Sequence, residues 1–279
     1  MPGRTSLRAC GRRGFAMLEA EYATMFAAEE THWWYLGLHD QVRRALVRCR
    51  EEASGPLRVL DAGCGTGKML EGLAGDRATG LDLSATALSL ARRRGDFPLV
   101  RASAVTLPFA DASFDVVLSL DVLANVPPSR IGAALVEAYR VLAPGGWLIL
   151  NIVAHQALYG EHDRAVGVVR RYSVRQVREF LAGAGFFVTT LTYANALLFP
   201  IAALVRLWRR RPHPGRPPHS DLAPLPPRCN AALAWLRFLE NRASIDYGIP
   251  MPLGLSLFAM ARKPATKGRV RAARSRTRV

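Results

Sequence analysis

Short apolar runs and longer amphipathic stretches alternate along most of this chain. Val59-Leu60 leads into Asp61-Ala62-Gly63-Cys64-Gly65-Thr66-Gly67, which reads as a strand ending in a glycine-rich turn, with Lys68-Met69-Leu70 opening a helix. A second apolar strand ends in Gly80-Leu81-Asp82-Leu83, after which Ser84 can cap a helix that stops near Gly95. Residues 98–104, 114–120, 147–153, 186–192 and 254–261 supply five more strands, and residues 129–142 a helix between the fourth and fifth. Ser173-Val174-Arg175-Gln176 is a capping box, and Val174, Val177, Phe180 and Leu181 give its helix an apolar face. Ahead of the first strand, residues 18–50 read as helical. The alternation predicts an α/β fold.

Between the sixth and seventh strands about 60 residues intervene. Residues 196–208 form an apolar helical run broken by Pro200, and residues 212–227, with seven prolines, predict a stiff linker. Residues 230–242 predict a helix whose stripe of Ala232, Trp235, Leu236 and Leu239 should pack on the first helix as a small cap.

A chain of 279 residues, 50% apolar, can bury one good core, and its length allows one domain or two. Its net charge of +16 lies at the ends and in one loop. Residues 1–14, 206–216 and 262–279 hold 17 of the 38 basic residues and no acidic ones, leaving 21 basic against 22 acidic elsewhere. That placement argues against a nucleic-acid surface across the core, since no aromatic residues interleave the charges of the two ends. Cys10, Cys49, Cys64 and Cys229 are scattered without metal-ligand spacing, which implies a reducing, cytoplasmic setting and no structural metal. Arg12-Arg13 lacks the uninterrupted apolar run of an export signal, and Met17 is an alternative start.

The three glycines at alternate positions allow a ligand to lie against the main chain, with the following helix N-terminus directed at it. Asp82, fifteen residues after Gly67, stands where a doubly wound sheet places a carboxylate for ribose hydroxyls. A nicotinamide-binding oxidoreductase is an alternative, but the spacing is G-x-G-x-G, with Lys68 where the last glycine of the dinucleotide fingerprint would fall.

The run VLDAGCGTG followed by GLDLS resembles the class I S-adenosylmethionine-dependent methyltransferases of the type 11-like, small-molecule group. The likeness continues in order through Leu107-Pro108-Phe109, Ser113-Phe114-Asp115, Ser119-Leu120-Asp121 and Leu142-Ala143-Pro144-Gly145-Gly146. It implies a Rossmann-like, seven-stranded, mainly parallel sheet whose last strand is antiparallel. It further implies S-adenosyl-L-methionine as methyl donor, bound by Asp61, Gly63, Gly65, Asp82, Leu83, Ser103, Ala104, Leu120 and Asp121. Asp82 would take the ribose, Leu83 and Ala104 the adenine, and Gly63, Gly65, Leu120 and Asp121 the methionine end. Ser103 departs from the aspartate usual in the family. Asn125-Val126-Pro127-Pro128 lacks the contiguity and the aromatic residue of base-modifying relatives.

Beyond the fifth strand, where the family places acceptor residues, lie groups able to bind or deprotonate. His162 leads as general base, because imidazole titrates near neutrality, followed by His155, Tyr172 and His32. Arg170 and Arg171 could grip an acidic acceptor, the bland reading being an Asp163–arginine pair. Thr31-His32-Trp33-Trp34-Tyr35 reads as part of a lid over the site or as packing on the sheet edge. Residues 196–211, ending in Trp208 and clustered arginines, fit peripheral contact with the inner face of a membrane or burial in a helical cap.

The expected organisation is a disordered basic stretch (1–16), a helical lid (17–54), the core (55–194), a cap insertion (195–253), the last strand (254–263) and a basic tail (264–279). The expected function is methyl transfer to a small molecule such as a lipid, quinone or glycan-linked metabolite. An RNA or protein methyltransferase, or a non-catalytic membrane-associated scaffold, are the alternatives.

Overall fold

The computed structural model describes residues 17, 19–208, 222 and 225–265. The basic stretches 1–16 and 266–279, the arginines at 209–211 and most of the proline-rich run lie outside the described residues.

Seven strands build one sheet: β1 (Arg58–Ala62), β2 (Arg77–Asp82), β3 (Leu99–Arg101), β4 (Phe114–Leu120), β5 (Leu142–Val153), β6 (Phe187–Ala194) and β7 (Ser256–Arg262). Their order is β3-β2-β1-β4-β5-β7-β6. The first five pair in parallel, and β7 runs antiparallel between β5 and β6. The strand order reverses between β1 and β4, which opens a crevice at the carboxyl ends of those strands.

Side-chain alternation sorts the strands' apolar residues onto two faces. Leu60, Val117, Leu148 and Leu257 look to one side, where Leu135 of α5 (Ile131–Val141) and Leu181 of α7 (Val174–Gly183) complete a core. Val59, Val116, Ile149 and Phe258 look to the other, against Val42, Ala45 and Leu46 of α2 (Trp33–Arg50). On α5 the buried positions Ile131, Ala134, Leu135, Ala138 and Val141 follow the helical period. Behind the glycine turn come α3 (Lys68–Glu71) and α4 (Ala85–Ala91), the latter capped by Ser84 Oγ accepting the Ala87 N–H at 3.1 Å.

The structure divides the expected N-terminal helical region and corrects two other expectations. Residues 18–50 are two helices, because α1 (Glu19–Ala28) stops before His32, whose side chain caps α2 by accepting the Trp34 N–H at 3.3 Å. The third strand closes at Arg101, since Ser103 and Thr106 bridge in a turn.

The largest correction concerns the insertion, which forms α8 (Phe199–Trp208) and α9 (Pro227–Asn241). The main partner of α9 is α2, and the face it buries is polar. Arg237 donates to Glu240 at 2.6 Å and to Gln41 at 3.1 Å, and Asn241 donates to the Gly37 carbonyl at 2.8 Å. A side chain at Gly37 would place its Cβ 2.9 Å from Arg237 Cβ, so the glycine makes the slot. The expected stripe therefore turns outward, with Trp235 60% and Leu239 42% exposed. Glu240 also accepts the N–H groups of Ala196 and Leu197, which fixes the entry to α8.

Candidate active site

The crevice at the ends of β1, β2 and β4 widens into a cavity of ≈ 1420 Å³. Its floor is the glycine turn. Gly63 has φ 102° and Gly65 φ 52°, conformations that disfavour any side chain. A Cβ at Gly63 would meet Val122 at 2.1 Å, and one at Gly65 would meet Met25 of α1 at 2.6 Å. The turn is bound to the neighbouring strand by the Gly63 and Cys64 N–H groups, which donate to the Leu81 carbonyl at 2.6 and 2.9 Å.

Asp82, at the end of β2, accepts the Gly65 N–H at 2.9 Å and the Ser84 N–H at 2.8 Å. Its carboxylate thus braces the turn while lining the cavity, and burial raises its pKa. Asp61, at the end of β1, is 2% exposed, and its Oδ1 has no hydrogen-bond partner. Burial, then the nearby Asp82 and Glu29, push its pKa up to about 7. Asp121, just past β4, adopts φ 59° and accepts the Asn151 side-chain N–H at 2.9 Å, burial raising its pKa to about 6. Leu83, Ser103, Ala104 and Leu120 also line the cavity, so the structure gathers every expected donor-binding residue around it. Ser103 Oγ accepts the Val105 N–H at 3.3 Å and keeps a second lone pair.

The acceptor side is partly revised. His162, on α6 (Glu161–Ala165), lines the cavity. His155 and Tyr172 are not among its lining residues. His155 stacks on Tyr193 at 5.1 Å with the rings nearly parallel, drawn there by φ 60° at the end of β5. Tyr172 is 1% exposed and packs its ring against Phe180 in the core. Arg170 lies over the Tyr172 ring, and Arg171 is consumed internally. Its guanidinium pairs with Asp163 at 2.8 Å and donates to the Ala154 carbonyl at 3.0 Å, with both side chains 1% exposed or less. Arg171 is therefore not available to clamp an acidic acceptor, and exposed Arg170 is not among the residues lining the cavity.

Within the region expected as a lid, the sequence did not single out Tyr22, Met25 or Glu29. Tyr22 and Met25 of α1, then Glu29, lie over the glycine turn, and His32, Trp33, Trp34 and Tyr35 continue the wall. Glu29 accepts from the Thr66 hydroxyl and, at 3.1 Å, from Arg94. Arg94 also donates to the Thr66 carbonyl at 3.0 Å and to the Phe26 carbonyl at 2.9 Å, tying α1 to the turn. The acidic pair Glu29-Glu30 directly ahead of the aromatic run was the available signal. Across the cavity, Ile201, Ala202 and Val205 of α8 make an apolar wall. Among the described residues no cluster of His, Cys, Asp or Glu is arranged to hold a metal ion.

An S-adenosyl group fits these residues on the structure's own terms. Gly63 and Gly65 line the cavity without side chains of their own, beside the Asp82 carboxylate, and the unpartnered buried oxygen of Asp61 asks for a cation.

Residues 60–150 match the family model described as a methyltransferase domain. Over 129 residues the chain is 36% identical to phthiotriol/phenolphthiotriol dimycocerosates methyltransferase 1 of Mycobacterium ulcerans, covering 43% of this chain and 47% of that one. It is 32% identical over 157 residues to a ubiquinone biosynthesis O-methyltransferase of Thiobacillus denitrificans, covering 50% and 66%. The chain spans about half the length of most curated relatives that it matches. Among solved structures, the 1,6-didemethyltoxoflavin-N1-methyltransferase of Burkholderia thailandensis, with S-adenosylhomocysteine bound, aligns at a TM-score of 0.52. That alignment covers 88% of this chain and 87% of the other at 19% identity, a likeness of fold.

Proposed function

Starting from a chain whose residues 60–150 make it a member of the class I S-adenosylmethionine-dependent methyltransferases, we propose that it methylates an apolar small molecule. The observation that carries the donor half is Asp61, a carboxylate 2% exposed with an unpartnered oxygen beside a side-chain-free floor. In this reading Asp82 holds the ribose, Leu83, Ser103 and Ala104 the adenine, and Asp61, Gly63, Gly65, Leu120 and Asp121 the methionine end. Bound there, the donor supplies a methyl group already activated by a positive sulfur.

What the protein must add is alignment, exclusion of water and a place for one proton. The roof of α1 and the start of α2 covers the donor side, as a lid. The apolar wall of α8 supports an acceptor with a hydrocarbon or quinone-like body. For a hydroxyl or amine acceptor, His162 takes the acceptor's proton at a ring nitrogen as the methyl carbon exchanges its bond to sulfur for one to the acceptor atom. His162→Ala should then lower kcat on such an acceptor by about 10²–10⁴-fold. The measurement is transfer of labelled methyl to extracted lipids and quinones. Undiminished turnover in the variant removes His162 from the role, and failure of the intact protein to bind S-adenosylhomocysteine by calorimetry removes the donor reading itself.

The reading includes peripheral membrane contact at the inner face, through residues 196–211. Ile201 and Leu204 of α8 are 69% and 71% exposed, and Arg206 with the arginines that follow in sequence suits anionic headgroups. No helix among the described residues is long and apolar enough to cross a membrane. Leu204→Asp should cut co-sedimentation with phosphatidylglycerol vesicles at least about fivefold, the loss expected when an apolar side chain at the interface is replaced by a charge. Equal sedimentation of both proteins would rule this contact out.

A further inference from the structure

We propose that Glu29, at the junction of α1 and α2, is a second acidic ligand for the donor's ammonium group, shared with Asp61, so that the donor itself fastens α1 over the glycine turn. The proposal rests on the donor reading above and concerns a residue that the donor-binding set did not contain.

Glu29 and Asp61 line one cavity from different parts of the fold, and the charge of Glu29 acts on the Asp61 carboxyl. Asp61 ends β1, beneath the glycine turn, while Glu29 follows α1, above it, and both line the cavity. Glu29 is 5% exposed. Its Oε2 is engaged by Thr66 and Arg94, whereas its Oε1 accepts no hydrogen bond from the described residues. Asp61 likewise keeps Oδ1 without a partner. Two buried carboxylates, each with an oxygen to spare, repel one another unless a cation lies between them.

The protein's own cations serve only the Glu29 side of that position. Arg94 pairs with Glu29 Oε2 at 3.1 Å while donating to the Thr66 and Phe26 carbonyls, and it is not among the charged groups acting on Asp61. Lys68 of α3 is occupied by Glu30 at 2.7 Å and Glu71 at 2.6 Å. The charged groups acting on Asp61 are Asp82 and Glu29, both acidic. From α2, Tyr35 lies near Glu29 with its hydroxyl held protonated by burial, and buried His39, its pKa lowered to about 4, stays neutral near pH 7.

The consequence is a proton linked to donor binding. Burial pushes Glu29 and Asp61 each up to about 7, so both are partly protonated in the free protein near neutrality. A cation between them favours the ionised forms. Binding therefore releases protons, and affinity rises as pH increases toward and through about 7.

The test uses the full chain and two ligands. S-adenosylhomocysteine carries the ammonium group, and 5′-methylthioadenosine has the same nucleoside without it. In calorimetry, Glu29→Gln should weaken S-adenosylhomocysteine about tenfold, the scale of one charge-assisted hydrogen bond, and leave methylthioadenosine unchanged. Intact protein, titrated in two buffers of different ionisation enthalpy, should release protons with S-adenosylhomocysteine and almost none with methylthioadenosine. Equal losses for both ligands in the variant would overturn the proposal, as would absence of proton release from the intact protein, a measurement that needs no variant to fold. Intact protein that binds neither ligand refutes the donor reading instead, and Glu29's role with it.

Discussion

Asp163→Ala is expected to destabilise the protein by about 3–5 kcal/mol, the cost of leaving a buried charge without its partner. Arg171 and Asp163 are 1% and 0% exposed, and three contacts of 2.8–3.1 Å join them. Asp163 also accepts the Gly160 N–H at 2.8 Å, so its loss frees the start of α6 as well as the guanidinium. Thermal unfolding of the variant should fall by roughly 10 °C. A double replacement, Asp163→Leu with Arg171→Met, removes both charges and should recover most of that loss. A single variant that melts within about 2 °C of the parent would mean that the buried pair contributes almost nothing, against its geometry. Because α6 carries His162, turnover should suffer in Asp163→Ala even where the protein remains folded.

The largest effect on ligand binding is expected from Asp82→Ala. Asp82 braces the glycine turn through the Gly65 and Ser84 N–H groups and, in the proposed reading, accepts from two ribose hydroxyls. Losing those charge-assisted bonds should weaken S-adenosylhomocysteine by about 10²–10³-fold in calorimetry. Unlike Glu29→Gln, this replacement should weaken 5′-methylthioadenosine just as much, since both ligands contain the ribose. A loss of less than about threefold would place the nucleoside elsewhere in the cavity.

These two carboxylates differ in how far the sequence revealed them. Asp82 was legible because the strand, the glycine turn and the second strand form one local unit, in which spacing alone sets the meeting of Asp82 with Gly65. The seven strands were legible for the same reason, through alternation and local caps such as Ser84 and Ser173. The Asp163–Arg171 pair appeared only as the plainer of two alternatives, since a dense polar segment does not say which charges meet. His155 and Tyr172 ranked next after His162 along the chain, with nothing in the sequence to say where their side chains point. A left-handed turn at the end of β5 and a bridge between Ala154 and Tyr172 send them away from the cavity. On α9 the helical period was readable and its direction was not. Which face turns inward was decided by Gly37 and Gln41, about two hundred residues earlier. Glu29 was hidden by the break before α2, since a helical reading of residues 18–50 does not say where one helix ends and His32 caps the next.

The place of β7 in the sheet has a consequence for how the protein is made. Its slot lies between β5 and β6, yet residues 195–255 must be synthesised before β7 can enter it. At about 5–20 residues per second a ribosome needs roughly 3–12 s for that stretch. Throughout this interval the facing edges of β5 and β6 offer unpaired backbone groups to any passing strand. The nascent chain thus has its glycine turn and first five strands in hand while its sheet is still open in the middle, and β7 arrives as the stitch that closes it.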